Sequence, residues 1–472
     1  MGWNYSVSFL VPLVMFGWVP LTVALFQSYP GRKAVLISAI GGFLFLPVAT
    51  FSAPGVPDLG KIAFISISIL AGKTFSSTSS RDAPEWGWYD LPVALWCFFV
   101  PVATSLSNGL GLYDGVSGVL SNLLTWGILY WAGRTYFAET SSLRELCVAL
   151  AIGGLLYIPF ILFELRMAPT LSQRVYGFFP HSFSQHVRYG GYRPIVFMPH
   201  GLIVSQFMSV SATVAYWLWR TRAVTHVLRV PVSVATIALF VATALCKSAN
   251  GWILLAVGIA SYSLFRATPR LFAYAVLLVP AYILVRLLNV IAVEDIQDVA
   301  RVFFDEERVL SLTVRLLQER AFGDRALIRP LFGWGGYRRG WPVDPYTGQE
   351  TVRAVDAAWV ILFSTYGIVG LISAFAPFWL AAWHSFRANS KTGGDREKVE
   401  AHSRVGPDRA ILSMAVLMFA VDSLINAPTP AVYILLAGAL IGVHASGTAG
   451  PRRTKDKRSA HGRSRTPSHA RH

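Results

Sequence analysis

The chain has 472 residues, of which 54% are hydrophobic and 14% charged, and its mean hydropathy is +0.49. This composition excludes a soluble globular fold and places the chain among integral membrane proteins. The formal charge is +16, and because it gathers in loops and in a basic C-terminal stretch, the bulk of the chain is left apolar.

Crossing about 30 Å of hydrocarbon takes a helix of roughly 17–23 apolar residues. Such runs recur near 8–26, 34–50, 61–73, 89–106, 116–133, 145–163, 195–218, 229–246, 250–265, 271–291, 357–380, 410–427 and 430–446. They predict an all-α integral membrane protein with about 12–14 transmembrane helices. The first run has no basic residues before it and no small-residue cleavage site after it, so it reads as a retained helix. Cys97, Cys147 and Cys246 each fall within or at the edge of an apolar run, where a thiol behaves as a small hydrophobe, and their spacing forms no disulfide or zinc pattern.

Lys and Arg in short loops resist translocation. Arg32, Lys33, Arg134, Arg144, Arg220, Arg222, Arg229, Arg266 and Arg270 share one side if the N-terminus is outside, and the segment 382–409 and the tail 447–472 fall on that side too. The C-terminus is therefore expected inside and the segments 164–194 and 292–355 outside. The basic tail, PRRTKDKRSAHGRSRTPSHARH, is expected to be disordered and to meet anionic lipid headgroups rather than nucleic acid.

The first outward segment gathers Glu164, Arg166, Arg174, His181, His186, Arg188, Arg193 and His200 at the mouth of the helix expected from near Ile195. Gly190, Gly191 and Pro194 oppose regular helix there and expose backbone N–H groups suited to oxyanions. His200, after Pro199, is a candidate base. Lys247, at the outer end of another run, adds a cation at the same level.

The second outward segment begins with Phe303, Leu310, Val314 and Leu317 at helical spacing, which predicts one or two amphipathic helices lying on the outer leaflet. After Pro330 it becomes PLFGWGGYRRGW, where Gly333, Gly335, Gly336 and Gly340 allow close backbone approach. Trp334, Tyr337 and Trp341 are candidates for stacking on sugar rings. Arg338 and Arg339 are candidates for gripping phosphate, because guanidinium groups bind oxyanions in forks. Asp356, at the start of the next run, is a candidate for orienting an acceptor hydroxyl; its plain structural role would be a helix N-cap beside Arg353.

Together PLFGWGGYRRGW, DAAWVILFSTYGIVGLI, RYGGYRPIVFMPHGL and VDSLINAPTPAVYILLAGAL resemble the O-antigen polymerase and ligase superfamily of bacterial inner membranes. The resemblance covers roughly 145–446, and 1–144 matches only as generic spans. It implies a GT-C-type polytopic glycosyltransferase with a large periplasmic loop, a multi-pass inner-membrane location and a periplasmic N-terminus. The implied donor is a glycan on undecaprenyl diphosphate, with no nucleotide sugar, cofactor or metal, and with membrane lipids and other polysaccharide-assembly proteins as partners. In that comparison Arg188, Arg193, Arg338, Arg339 and Lys247 would hold the diphosphate, and Asp356 and His200 would be the catalytic candidates.

The family often has His then Asn where this chain has Asp356 and Ala357. That exchange puts polymerisation ahead of ligation to a lipid or protein acceptor. A non-enzymatic transporter of lipid-linked oligosaccharide is the alternative from another class. Asp422 and Asn426, in a late run, could mark a midplane site or a helix-packing pair.

Overall fold

A computed structural model describes residues 2–76, 85–268, 274–303, 305–336, 338–344, 346–347, 349–352, 355–390 and 407–448. Tyr337, Arg353 and the tail 449–472 lie outside the described residues. Each predicted apolar run contains helix. In chain order the α-helices are α1 (Leu10–Ser28), α2 (Gly31–Leu36), α3 (Gly42–Phe45), α4 (Lys61–Thr74), α5 (Leu91–Ala94), α6 (Val100–Ser107), α7 (Leu112–Asn122), α8 (Ile128–Tyr136), α9 (Thr140–Met167) and α10 (Leu171–Tyr176). They continue as α11 (Gly201–Arg220), α12 (Val232–Leu245), α13 (Ala249–Ala267), α14 (Leu278–Leu287), α15 (Val293–Phe303), α16 (Glu306–Ala326), α17 (Ala358–Ser390), α18 (Pro407–Asp422) and α19 (Ala431–Thr448).

Among the described residues, five helical stretches are long and apolar enough to cross a membrane: Leu10–Ser28, Trp88–Ser107, Thr140–Met167, Gly201–Arg220 and Ala358–Phe386. The architecture is that of an all-α membrane protein. Within it α11 is the central helix, with 89% of its apolar window buried, packed against α9, α12, α13 and α18. The apolar side chains of these helices form one continuous core that includes Trp217, Phe207, Tyr157 and Tyr433.

The polar contacts sort into two ends of the bundle. At one end Arg32 pairs with Glu139 and Glu145, Arg144 with Asp408, and Arg134 with Asp90. These join the starts of α2, α5, α9 and α18 to the end of α8. At the other end the N-terminus meets the 164–194 segment, through the Ser8 N–H on Tyr176 O at 2.9 Å and the Tyr5 hydroxyl on Pro180 O at 3.3 Å. The second predicted outward segment lies at this end too, since Arg329 and Gly333 both bond Asn108, just past the end of α6.

Three local expectations change. The helix expected from near Ile195 starts at Gly201, because Glu164 binds the preceding backbone in a turn: it accepts the N–H groups of Ile195 and Val196 at 2.7 Å each, and of Leu171 at 3.0 Å. A carboxylate with no exposed surface is thus satisfied by backbone donors rather than by the nearby arginines. The run expected over 410–427 stops being helical at Asp422. The Gly333 region does not wait for a ligand: it is locked onto α17, which breaks at Gly367 (φ 68°, ψ −168°). The break frees backbone groups that the 330–335 loop satisfies, with Trp334 N–H on Ser364 O, Gly335 N–H on Thr365 O, both 2.9 Å, and Ile368 N–H on Pro330 O at 2.7 Å.

Candidate functional site

Residues 187–192 form a tight antiparallel hairpin, with Val187 opposite Tyr192 and Arg188 opposite Gly191. Tyr189 and Gly190 both have positive φ, 48° and 66°, which is the two-residue turn whose twist suits a hairpin. The pairing extends one step further, Arg193 N–H bonding His186 O at 2.7 Å. Because side chains alternate along paired strands, positions 186, 188, 191 and 193 share one face. The hairpin therefore delivers His186, Arg188 and Arg193 together. Lys247 joins them from the end of α12, its Nζ against Tyr189 O at 3.5 Å.

Arg193 is 3% exposed and has one side-chain hydrogen bond, from Nη2 to Ser248 Oγ at 3.2 Å; its Nε has no acceptor. No carboxylate pairs with it among the described residues. Its stem crosses the first turn of α11, so that a Cβ on Gly201 would lie 2.7 Å from Arg193 Nε; glycine is needed there to let the guanidinium through. Burial, and next the Arg188 charge, lower its pKa to about 10, which leaves it a cation at neutral pH. A buried cation at the positive end of a helix, without a counter-charge, is an unfavourable arrangement until an anion arrives.

Beside it stand three imidazoles. His181, His186 and His200 each bring one ring nitrogen to within 4.8 Å of the others, and the rings of His181 and His200 are edge to face at 4.6 Å. His200 is the N-cap of α11, its Nδ1 accepting from Leu202 N–H at 3.1 Å. His181 Nδ1 accepts from Ser182 N–H at 2.8 Å. His186 is fully buried, and among the described residues neither of its nitrogens makes a well-formed hydrogen bond, the contact with the Arg193 backbone falling short of one. Burial, followed by the charge of Arg193, lowers His186 to about 4 and His200 to about 3. Glu164 holds the turn that leads into His200, and the hairpin pairing through Arg193 N–H places His186.

A polar track leads on from Ser248. Two residues along α13, Asn250 donates to Asp422 Oδ1 at 2.7 Å, and Asn426 donates to the same oxygen at 2.7 Å. Asn426 Oδ1 accepts from Arg315 Nη1 at 3.4 Å, and Arg315 Nη2 pairs with Asp356 Oδ2 at 3.1 Å. Asp356 is therefore not the cap of α17; Ala358 N–H is taken by the carbonyls of Ser423 and Asn426 at 3.1 Å each. Arg315 also raises the positive field felt by Arg193, so α16 contributes to the same centre. Arg315, Ser248 and Asn250 were not singled out from the sequence.

The later arginines have other partners. Arg338 pairs with Glu350 and lies over the Trp341 ring at 4.7 Å, while Arg339 reaches Asn108 O at 3.4 Å. The Trp334 ring is stacked by Arg325 at 3.7 Å and Arg329 at 4.5 Å, and its Nε1 donates to Arg325 O. The chain matches no family model and no curated protein.

Proposed function

We propose that the chain is a polysaccharide polymerase of the O-antigen or exopolysaccharide kind, moving a glycan from undecaprenyl diphosphate to an acceptor sugar hydroxyl at the outer face of the bacterial inner membrane. The observation that carries this reading is Arg193, a buried cation with no carboxylate partner among the described residues, flanked by Arg188, Lys247 and Arg315. Polar groups of this kind at a membrane surface are expensive to desolvate and are retained for an oppositely charged ligand or for chemistry.

In the reaction the acceptor oxygen attacks C1 of the donor sugar, and the bond from C1 to the diphosphate oxygen breaks with inversion. The arginines neutralise charge as it builds on the departing diphosphate, and the groups around Asp422 and Asp356 place the hydroxyl. His200 is a poor base for its proton: an imidazole lowered to about 3 holds none at neutral pH. Asp422 is the better acceptor. Two amides fix one of its oxygens, and no cation lies within ion-pair distance of it among the described residues.

The test is elongation by the purified protein in lipid, supplied with undecaprenyl-diphosphate oligosaccharide and read as chain length on a gel. Longer chains from the wild type, and loss of elongation in Arg193→Ala, are expected. Translocation of the intact lipid-linked donor without any elongation would overturn the enzyme reading in favour of a transporter.

A further inference from the structure

We infer that His181, His186 and His200 form a cradle of N–H donors for a phosphoryl group, a second half of the anion site beyond the arginines. The inference rests on reading Arg193 as an anion ligand and adds three residues to it.

Three imidazoles within reach of one another are also the donor set of a zinc or cobalt site, so the two chemistries have to be separated. The backbone separates them. Ser182 N–H points at His181 Nδ1 and Leu202 N–H at His200 Nδ1. In a neutral imidazole one nitrogen carries the proton and the other the lone pair, so these contacts spend both Nδ1 lone pairs and put both protons on Nε2. His200 Nε2 accordingly faces the Gln185 side-chain oxygen at 3.4 Å, a long bond that a stronger acceptor would replace. A metal ion bound at either Nε2 would need the opposite tautomer and would leave a backbone N–H facing an N–H.

The surrounding charge gives the same answer. Arg193 and Arg188 both act on His186 and His200, and Glu164, a buried carboxylate of the same outward segment, is already occupied by three backbone N–H groups. A divalent cation would enter a positive field, whereas a phosphoryl oxygen would relieve it. His186 supplies a second sign of a missing ligand: it has no exposed surface, and among the described residues neither of its nitrogens makes a well-formed hydrogen bond, the contact with the Arg193 backbone falling short of one. Leaving such a group poorly satisfied is costly. Arg193 Nε is unpartnered in the same place. The exposed His181 marks the open side through which the phosphoryl group enters.

The experiment uses the full chain in phosphatidylcholine nanodiscs, with inorganic pyrophosphate as the probe and titration calorimetry as the readout. His181→Ala, at an exposed position, and His186→Leu, which keeps an apolar fill, are each expected to weaken pyrophosphate binding about tenfold. His186→Gln restores part of the loss, because its amide offers an N–H. Nanodiscs containing phosphatidylglycerol separate the sources of the phosphate: competition with pyrophosphate means a lipid headgroup reaches the cradle, and no competition means it is reserved for a diphosphate. Binding that is unchanged by both histidine substitutions but lost in Arg193→Ala would overturn the cradle and leave the arginine clamp standing. Visible Co2+ absorption bands that disappear in His186→Leu, without competition from pyrophosphate, would also overturn it, in favour of a metal site.

Discussion

Gly333 and Gly367 sit on two segments that meet backbone to backbone, each glycine at positive φ and each with no room for a side chain. A Cβ on Gly367 would collide with the Leu331 carbonyl, and one on Gly333 with the backbone of Thr365. The loop thereby closes the hydrogen bonds that the break in α17 opens.

Gly367→Ala should therefore destabilise the protein by about 3 kcal/mol or more, combining positive-φ strain with a backbone collision. Gly55→Ala is the control, since Gly55 also has positive φ (80°) but nothing within 4 Å of its missing Cβ; strain alone predicts about 1 kcal/mol there. Thermal unfolding in detergent measures both. Equal effects would mean that the contact between loop and helix carries no stability.

The places of the helices could be read from the sequence, because apolarity is a local property, but of the thirteen apolar runs five correspond, among the described residues, to helices long and apolar enough to span. The site was legible only in part. Arg188, Arg193, Lys247 and His200 stood out at helix mouths, and the structure gathers them around the hairpin. The convergence of His181 and His186 with His200 depends on long-range placement, His200 by the turn that Glu164 holds and His186 by the hairpin pairing with Arg193, and such contacts leave no local pattern. Arg315 is one of several arginines on an amphipathic helix, and only the docking of α16 near Asn426 distinguishes it. The glycines of PLFGWGG were read as making room for a ligand. Their partner is a helix break more than thirty residues away, in a stretch that has an ordinary apolar pattern.

The two carboxylates of the track should differ in their effect on turnover. Asp422→Asn is expected to slow elongation by about a hundredfold or more, the range seen when a proton acceptor is lost. Asp356 is half-exposed and already paired with Arg315, so Asp356→Asn should cost about tenfold or less and under about 1 kcal/mol of stability. Single-turnover elongation with saturating donor compares them. A larger loss at Asp356 would move the acceptor role there.

Arg315 should behave as part of the clamp. Arg315→Lys keeps the charge but cannot hold Asn426 and Asp356 at once, as the guanidinium does through Nη1 and Nη2. The expected result is a raised KM for the lipid-linked donor together with a lower kcat. Unchanged kinetics would confine Arg315 to the structure of the loop.

The histidine cluster predicts an acid-sensitive fold. His186 is lowered to about 4 by burial and then by Arg193, His181 and Arg188, against an ordinary value near 6.5. Its neutral form is thus favoured in the folded state, so its contribution is fully present above about pH 6.5 and is lost as pH falls through 4. The gap corresponds to about 3 kcal/mol. His186→Gln should reduce the fall in melting temperature between pH 6.5 and 4, the remainder coming from His200, which is lowered to about 3; a wild-type melting temperature independent of pH in that window would show that the imidazoles are not held neutral.

The charge distribution also predicts which end of the bundle faces out. Arg32, Arg134 and Arg144 converge at one end and the 164–194 segment lies at the other, with the N-terminus beside it. Basic residues in short loops resist translocation, so the hairpin and the loop before α17 should face the outside. The native cysteines are buried and give little background. Cysteines introduced at Ser184 and Thr347, both exposed, should react with an impermeant maleimide in intact spheroplasts, whereas one at Ser459 should react only after lysis. If the Ser459→Cys variant alone were labelled in intact spheroplasts, the arginine and histidine cluster would lie at the cytoplasmic face. There it could not meet a donor presented from outside, and the polymerase reading would fail with the topology.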